Sequence, residues 1–284
     1  MQKAILQTII YADIFDYPLT KEEIWRGLIE CNNVTMQLCN NAIKNIKSIK
    51  SKKGFYFMKG RDKLIAIRKE RKKYSAEKLK IAREIIHRIK LIPSVKLIGI
   101  TGALTMENGK KEDDIDLFII SSPGLLWTTR LLVTMLVEIT GMRRHPQEKN
   151  ANNKICLNMF VDEDNLEVPT KEQDLFSAHE VIQMKLLWEK NKTYEKFLFA
   201  NSWVKKLLPN AITTNNKEQI TKNKKTNIFV DLIEELSKRF QLWYMRKRRT
   251  TEVIKEGVIR FHPQDARTWI MDRYSSKINI YAKQ

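Results

Sequence analysis

The sequence predicts an α+β fold: an N-terminal unit of helices and a hairpin, a central mixed sheet with helices, and a helical C-terminal region. Two observations support this. Apolar segments of strand length cluster between residues 95 and 161, whereas most of the remaining chain has apolar residues at helical spacing. The predicted boundaries are 1–60 for the N-terminal unit, 61–92 for a connecting helix, 93–168 for the sheet and 169–284 for the C-terminal region.

The first two helices of the N-terminal unit follow from periodicity and capping. Apolar residues recur at helical spacing from Ala4 to Ile14, and a Tyr-Pro turn ends that segment. Thr20 is followed three residues later by Glu23, which is the pattern of a capping box. We therefore expect a second helix that begins after Thr20 and runs through Ile29.

A third helix and a basic hairpin complete this unit. Thr35 is expected to cap a helix whose buried face carries the apolar residues Leu38, Ala42, Ile43 and Ile46. A turn at residues 52–54 before an aromatic run predicts the hairpin. Three helices and a basic hairpin have the outline of a winged helix-turn-helix. Two interpretations stay open: contact with nucleic acid, or a module for packing or dimerisation.

The connecting segment from residue 61 to residue 90 is predicted to be one long helix with twelve Lys or Arg and four acidic residues. One side carries the apolar residues Ile65, Leu79, Ile86 and Ile89, so it is expected to rest on the protein. The other side is strongly basic. It either follows a phosphate backbone or is a solvated connector.

The central region carries the most informative pattern. Val95 to Ile100 reads as a buried strand, a turn at Gly102 follows, and the next strand bears Asp114 and Asp116. Because side chains alternate along a strand, these two carboxylates point to the same face. Two carboxylates beside a glycine turn suit a divalent metal together with phosphate, which is the chemistry of phosphoryl or nucleotidyl transfer.

The rest of the chain is predicted from apolar spacing. Residues 124–140 form an apolar helix that should cover the sheet, and residues 155–161 form a third strand. Further helices are expected over 175–189, 194–208 and 228–249, and the polar segment 211–225 is the best linker. Ser177 and Glu180 fit a capping box at the start of the first of these helices.

Composition bounds the class of protein. The longest apolar run, residues 131–137, is too short to cross a bilayer, and the first residues do not fit a signal peptide. Three cysteines without paired spacing argue against a disulfide scaffold or zinc cluster and favour a reducing cytoplasm. The formal charge of +19 indicates either attraction to nucleic acid or nucleotide phosphates, or a surface simply rich in lysine.

The segment from Val95 to Val161 resembles the nucleotidyltransferase superfamily that includes DNA polymerase beta and the small prokaryotic nucleotidyltransferases. Gly102 and Ala103 stand where that family has Gly-Ser or Gly-Gly, and Asp114-Ile115-Asp116 stands at its paired carboxylates. An N-terminal winged helix before such a domain also resembles uncharacterised bacterial nucleotidyltransferase-like proteins.

The resemblance implies a nucleotidyltransferase-type mixed sheet, Mg²⁺ or Mn²⁺ as cofactor and an NTP, ATP in particular, as substrate. It implies that Asp114 and Asp116 are metal ligands and catalytic residues. It places the nucleotide beside Thr101, Gly102, Ala103 and Thr105.

Two residues depart from the family pattern. The family has a third carboxylate on the neighbouring strand, and the residue that best fits this catalytic position here is Asn158. Asparagine can coordinate a metal weakly but cannot act as a general base at neutral pH. Ala103 lacks a serine hydroxyl but keeps its backbone N–H. These departures put turnover in doubt without removing nucleotide binding.

The sequence thus leads to a Mg²⁺-dependent nucleotidyltransferase-like protein that modifies an unknown acceptor, which can be RNA, protein or a small molecule. The alternative is a catalytically weakened nucleic-acid-binding or regulatory protein on the same core, with RNA or DNA held on the basic surfaces. A toxin–antitoxin partner is a third hypothesis that the sequence does not separate from these. The sequence gives no oligomeric state.

Overall fold

The computed structural model describes residues 1–145, 148, 150–212, 228–246, 253–260 and 266–282. The predicted linker over 211–225 lies outside these ranges, except for its first two residues. None of the described helices is both long and apolar enough to cross a membrane.

The N-terminal unit contains the three helices and the hairpin expected from the sequence. Its elements are α1 (Gln2–Ile14), α2 (Lys21–Arg26), α3 (Met36–Ile43), β1 (Ile49–Lys52) and β2 (Phe55–Met58). The hairpin strands pair antiparallel, and both residues of the tight turn, Lys53 and Gly54, have positive φ. That backbone geometry matches the twist of a two-residue hairpin.

The capping box at Thr20 and Glu23 is confirmed, but α2 ends earlier than predicted. The Thr8 hydroxyl donates to the Gly27 carbonyl and accepts from the Ile29 N–H, and this turns the chain under α1. In α3 the buried residues are Cys39, Ala42 and Ile43, whereas Leu38 is 50% exposed. The prediction that Leu38 lies on the buried face is therefore wrong.

The long connecting helix is confirmed as α4 (Leu64–Ile89), and its predicted apolar side is buried. Several of its basic residues make internal contacts instead of facing solvent. Arg68 binds both carboxylate oxygens of Glu23 at 2.7 and 2.8 Å and lies over the Tyr17 ring. Arg71 contacts the Phe15 carbonyl. This helix therefore connects the N-terminal unit to the sheet.

Within the described residues, the central sheet is mixed and has six strands in the order β6-β3-β4-β5-β8-β7. Only the β4–β5 pair is parallel, and the other neighbouring strands run antiparallel. The strands are β3 (Val95–Ile100), β4 (Ile115–Ser121), β5 (Ile155–Asp162), β6 (Lys185–Glu189), β7 (Val253–Lys255) and β8 (Val258–Arg260).

Helices cover both faces of this sheet. One face packs against α4, α5 and α9, and the other packs against α6, α7, α8, α10 and the N-terminal unit. The remaining helices are α5 (Leu126–Ile139), α6 (Leu175–Gln183), α7 (Thr193–Ala200), α8 (Val204–Leu207), α9 (Ile228–Met245) and α10 (Ala266–Ala282). The α+β class and the mixed sheet are therefore confirmed.

The C-terminal region is not purely helical, because it supplies three strands of the central sheet. The helix predicted over 175–189 stops at Gln183, and the chain then adds β6 to the free edge of β3. Met184 packs so closely on Gly99 that a Cβ there would lie 2.3 Å from its sulfur. Pairing with β3 overrides the helical spacing of this segment.

The other two C-terminal helices also differ from prediction. The helix predicted over 194–208 is interrupted between α7 and α8, where the buried Asn201 side chain bonds the backbone of Leu166 and Val168. The helix predicted over 228–249 is α9, which ends at Met245 with Arg246 in a turn, and residues 247–249 lie outside the described residues.

Candidate functional site

The two aspartates lie where the sequence placed them, at the start of β4. Asp114 immediately precedes the strand and Asp116 is its second residue. The Asp116 carbonyl accepts a hydrogen bond from the Thr101 N–H at 3.1 Å, so the glycine turn is fixed against the strand. In the parallel register Asp116 lies opposite Cys156 of β5.

Cys156 completes a compact cluster with the aspartates. One carboxylate oxygen from each of Asp114 and Asp116 and the Cys156 sulfur lie within 4.8 Å of one another. Arg144, in the loop before β5, forms an ion pair with Asp114. Cys156 is not among the site residues predicted from the sequence, although it lies two residues before Asn158 and strand alternation places both on one side.

Burial and like charge perturb this cluster. Burial, with the neighbouring Asp114 charge, raises the pKa of Asp116 to about 7. Burial also raises the pKa of the Cys156 thiol well above its ordinary value, and the Asp116 charge adds to this effect. Asp116 therefore loses its proton near neutral pH, where a bound cation would favour the charged form.

The glycine turn needs glycine at residue 102. Gly102 has φ +70°, and a Cβ there would lie 3.1 Å from the Asp116 carboxylate. The turn continues as a short 3₁₀ helix, Gly102–Met106, in which the Thr105 hydroxyl donates to the Gly102 carbonyl at 2.8 Å. Ala103 is exposed beside it. The backbone here can approach a ligand closely.

Asn158 lies in the same neighbourhood but makes a structural contact. Its side-chain amide donates to the Thr101 hydroxyl at 3.2 Å. Its amide oxygen is buried and has no hydrogen-bond partner among the described residues. Asn158 thus ties β5 to the residue before the glycine turn, while Cys156 is the β5 side chain that the structure places beside the carboxylates.

A buried lysine, Lys78 of α4, holds the two loops that lead into this cluster. Its ammonium donates to the carbonyls of Lys111 and Asp113, at 3.0 and 2.6 Å. It also donates to the side-chain oxygens of Asn152 and Asn153, at 3.2 and 3.0 Å. The first loop precedes Asp114 and the second precedes Cys156, so the Lys78 side chain fixes the position of both loops.

A cavity of about 690 Å³ adjoins the other side of the glycine turn, between α1, α6 and α10. Gly102, Ala103 and Thr105 line it together with His179 and Glu180 of α6. The sequence assigned Ser177 and Glu180 to a capping box, and this is wrong. The cap is Asp174, whose carboxylate accepts from the Ser177 N–H at 2.9 Å, so Glu180 lies inside the helix.

The aspartate pair is suited to a divalent cation. Two carboxylates are a sufficient protein contribution for Mg²⁺, which keeps several waters and binds substrate phosphates. The Cys156 sulfur is a softer donor that favours other divalent metals over Mg²⁺. The two carboxylates of Asp114 and Asp116, without the sulfur, therefore form the donor set that fits Mg²⁺ or Mn²⁺.

Comparison of the chain with protein-family models, with curated proteins and with solved structures finds no match.

Proposed function

We propose that the protein is a Mg²⁺- or Mn²⁺-dependent nucleotidyltransferase-like protein that transfers a nucleotide from an NTP, with ATP the first candidate, to an acceptor. The supporting observation is the pair Asp114 and Asp116 at the start of β4 beside the glycine turn, where a Cβ added to Gly102 would lie 3.1 Å from the Asp116 carboxylate. The free state of all three cysteines supports a cytoplasmic location.

In this proposal Asp114 and Asp116 hold the cation, which when bound neutralises phosphate charge as pyrophosphate leaves. Arg144 neutralises Asp114 in the metal-free protein and has to release it for metal binding. The turn at Gly102 and Ala103 presents backbone to the phosphates, with Thr101 and Thr105 shaping it from inside. Lys78 keeps the two flanking loops in place.

Calorimetry with ATP and Mn²⁺ tests binding. The wild-type protein should bind ATP only with the metal, and Asp116→Ala should lose that binding. Asp113→Ala is a matched control, because Asp113 is in the same loop but its carboxylate accepts from the Lys110 N–H, at 2.8 Å, and is not part of the aspartate–cysteine cluster. Absence of metal-dependent binding in the wild type, or unchanged binding in Asp116→Ala, would overturn the proposal.

Turnover requires a second experiment. Each labelled NTP is incubated with Mn²⁺ and cell extract, and the label is followed into RNA, protein and small-molecule fractions. Asp114→Ala/Asp116→Ala is the blank. Asn158→Asp should raise turnover if residue 158 occupies the family's third carboxylate position, and an unchanged rate counts against that placement.

Nucleic-acid binding is a second candidate function, on a winged-helix arrangement of α1–α3 and the β1–β2 hairpin. It is favoured by a stretch from residue 31 to residue 61 that contains no acidic residue. Its exposed lysines are Lys44, Lys47, Lys50, Lys52, Lys53 and Lys59. Neutralising phosphates with lysine gives affinity that falls steeply with salt.

A mobility-shift assay with duplex DNA and structured RNA checks this second function. The expected result is a shift at low salt that weakens as salt rises, and that is reduced in Lys50→Glu/Lys52→Glu. The absence of a shift at low salt, or an unchanged shift in this variant, would exclude the hairpin as the contact surface.

A further inference from the structure

The cavity between α1, α6 and α10 adjoins the glycine turn beside the aspartate cluster and has the dimensions of a ligand site. Its volume of about 690 Å³ lies within the range of pockets that enclose small molecules. Much of its wall is apolar or aromatic. The walls include Tyr11, Phe15, Phe176, Trp269 and Ile270.

One carboxylate, that of Glu180, faces this cavity without a hydrogen-bond or ion-pair partner among the described residues. Burial raises the pKa of Glu180 to about 7, and the Glu180 charge in turn adds to the rise in the Asp116 pKa. Across the described part of the chain, no hydrogen bond or ion pair to this side chain is present. The Glu180 side chain is half-buried at the cavity surface, so its carboxylate is accessible to a cationic group of a ligand.

The other charged residues that line the cavity are already paired. Glu23 is held by Arg68, and Arg26 pairs with Glu22 at 2.7 Å. Lys185 lies 4.0 Å from Glu107. Glu180 is thus the charge that these neighbours leave uncompensated, and a cationic group is its natural partner.

His179 supplies a second unsatisfied polar group in the same wall. The residue is only 7% exposed, and its ring stacks on Tyr11 with centroids 4.0 Å apart. Its Nδ1 lies 3.2 Å from the amide nitrogen of Gln183, which is a donor, so Nδ1 accepts and Nε2 carries the hydrogen. That Nε2–H has no partner among the described residues and is enclosed by protein atoms, so the His179 ring serves as a neutral part of the wall.

We propose that this cavity binds a small aromatic or alicyclic molecule that carries one basic nitrogen. The apolar walls enclose the ring, and the Glu180 carboxylate binds the protonated nitrogen. Gly102, Ala103 and Thr105 lie in the same wall, so the bound molecule is placed beside the nucleotide site. Its role as the acceptor of nucleotidyl transfer rests on the proposed function, but its binding does not.

Calorimetry without metal or nucleotide tests the binding. The probe is tryptamine, whose indole ring carries an amine, and indole-3-propionate is the matched anion with the same ring. The folded wild-type protein should bind tryptamine with one-to-one stoichiometry and indole-3-propionate at least tenfold more weakly. Glu180→Gln, which keeps shape and removes charge, should weaken tryptamine binding at least tenfold.

Two further variants complete the experiment. Glu84→Gln removes an exposed carboxylate of α4 and should leave tryptamine binding unchanged. Ala12→Leu adds volume to the cavity wall and should reduce it. Failure of tryptamine to bind the folded wild type, or equal binding by Glu180→Gln, overturns the proposal. Tryptamine binding together with no ATP binding keeps the cavity assignment and removes only the acceptor role.

Discussion

Replacing Asp116 by asparagine should make the metal-free protein more stable while it abolishes metal binding. The wild-type carboxyl has its pKa raised to about 7 by burial and by the Asp114 charge. The folded protein therefore keeps a proton between about pH 4 and pH 7 that the unfolded chain has lost. Folded-state stability consequently falls as pH rises through this window, and the whole penalty is present above about pH 7.

The size of the change in stability follows from the rise in the Asp116 pKa. A pKa raised by about three corresponds to about 4 kcal/mol for a carboxyl isolated from solvent. Asp116 keeps some contact with solvent, so we expect about half of that, or about 2 kcal/mol, at pH 8. For a chain of this length the midpoint of thermal unfolding should rise by about 5 °C in Asp116→Asn.

Thermal unfolding at pH 4.5 and pH 8, with and without Mn²⁺, measures both parts of this prediction. Asp116→Asn should match the wild type at pH 4.5, exceed it at pH 8, and lose the stabilisation that Mn²⁺ gives the wild type. Asp113→Asn, at a half-buried position of the same loop outside the aspartate–cysteine cluster, is the control and should keep the response to Mn²⁺. A variant that is less stable than the wild type at pH 8 would refute the electrostatic reasoning.

Three further predictions concern the same region. Gly102→Ala should cost more stability than Gly54→Ala, by about 1 kcal/mol or more. Both glycines have positive φ, but at Gly102 the added Cβ would also lie 3.1 Å from the Asp116 carboxylate. Equal losses of stability in urea titrations would contradict this. Lys78→Met should cost about 3 kcal/mol, because four oxygens lose their shared donor, and a loss below about 1 kcal/mol would show that other contacts hold the loops. Mn²⁺ affinity measured by calorimetry should rise with pH up to about 7 and then level off as Asp116 loses its proton, whereas a flat profile would place the metal elsewhere.

Local patterns predicted those parts of the fold that depend on neighbouring residues. The capping box at Thr20, the buried side of α4 and the strands β3, β4 and β5 each have a short-range signature. The position of Asp114 and Asp116 at the start of one strand, beside a glycine turn, also follows from side-chain alternation and turn chemistry. These features could be read before any tertiary contact was known.

The features that could not be predicted from the sequence depend on contacts between distant parts of the chain. β6 has helical spacing in sequence and becomes a strand because the edge of β3 is free to pair with it. Cys156 is beside Asp116 because β4 and β5 run parallel with these two residues in register. A register shift between Asp116 and Phe118 changes which residues of the two strands pair beyond that point. The segment before α6 holds Asp174, which caps the helix and leaves Glu180 facing a cavity made by α1 and α10.

The order of strands in the central sheet also determines when the fold can close. β3, β4 and β5 come from one continuous part of the chain, but β6 covers the outer edge of β3 and β8 covers the outer edge of β5. Until residues 185–189 and 253–260 arrive, both edges of this three-stranded core have unpaired backbone groups. During synthesis these edges are exposed to pairing with other chains, so the C-terminal strands protect the nascent protein against aggregation.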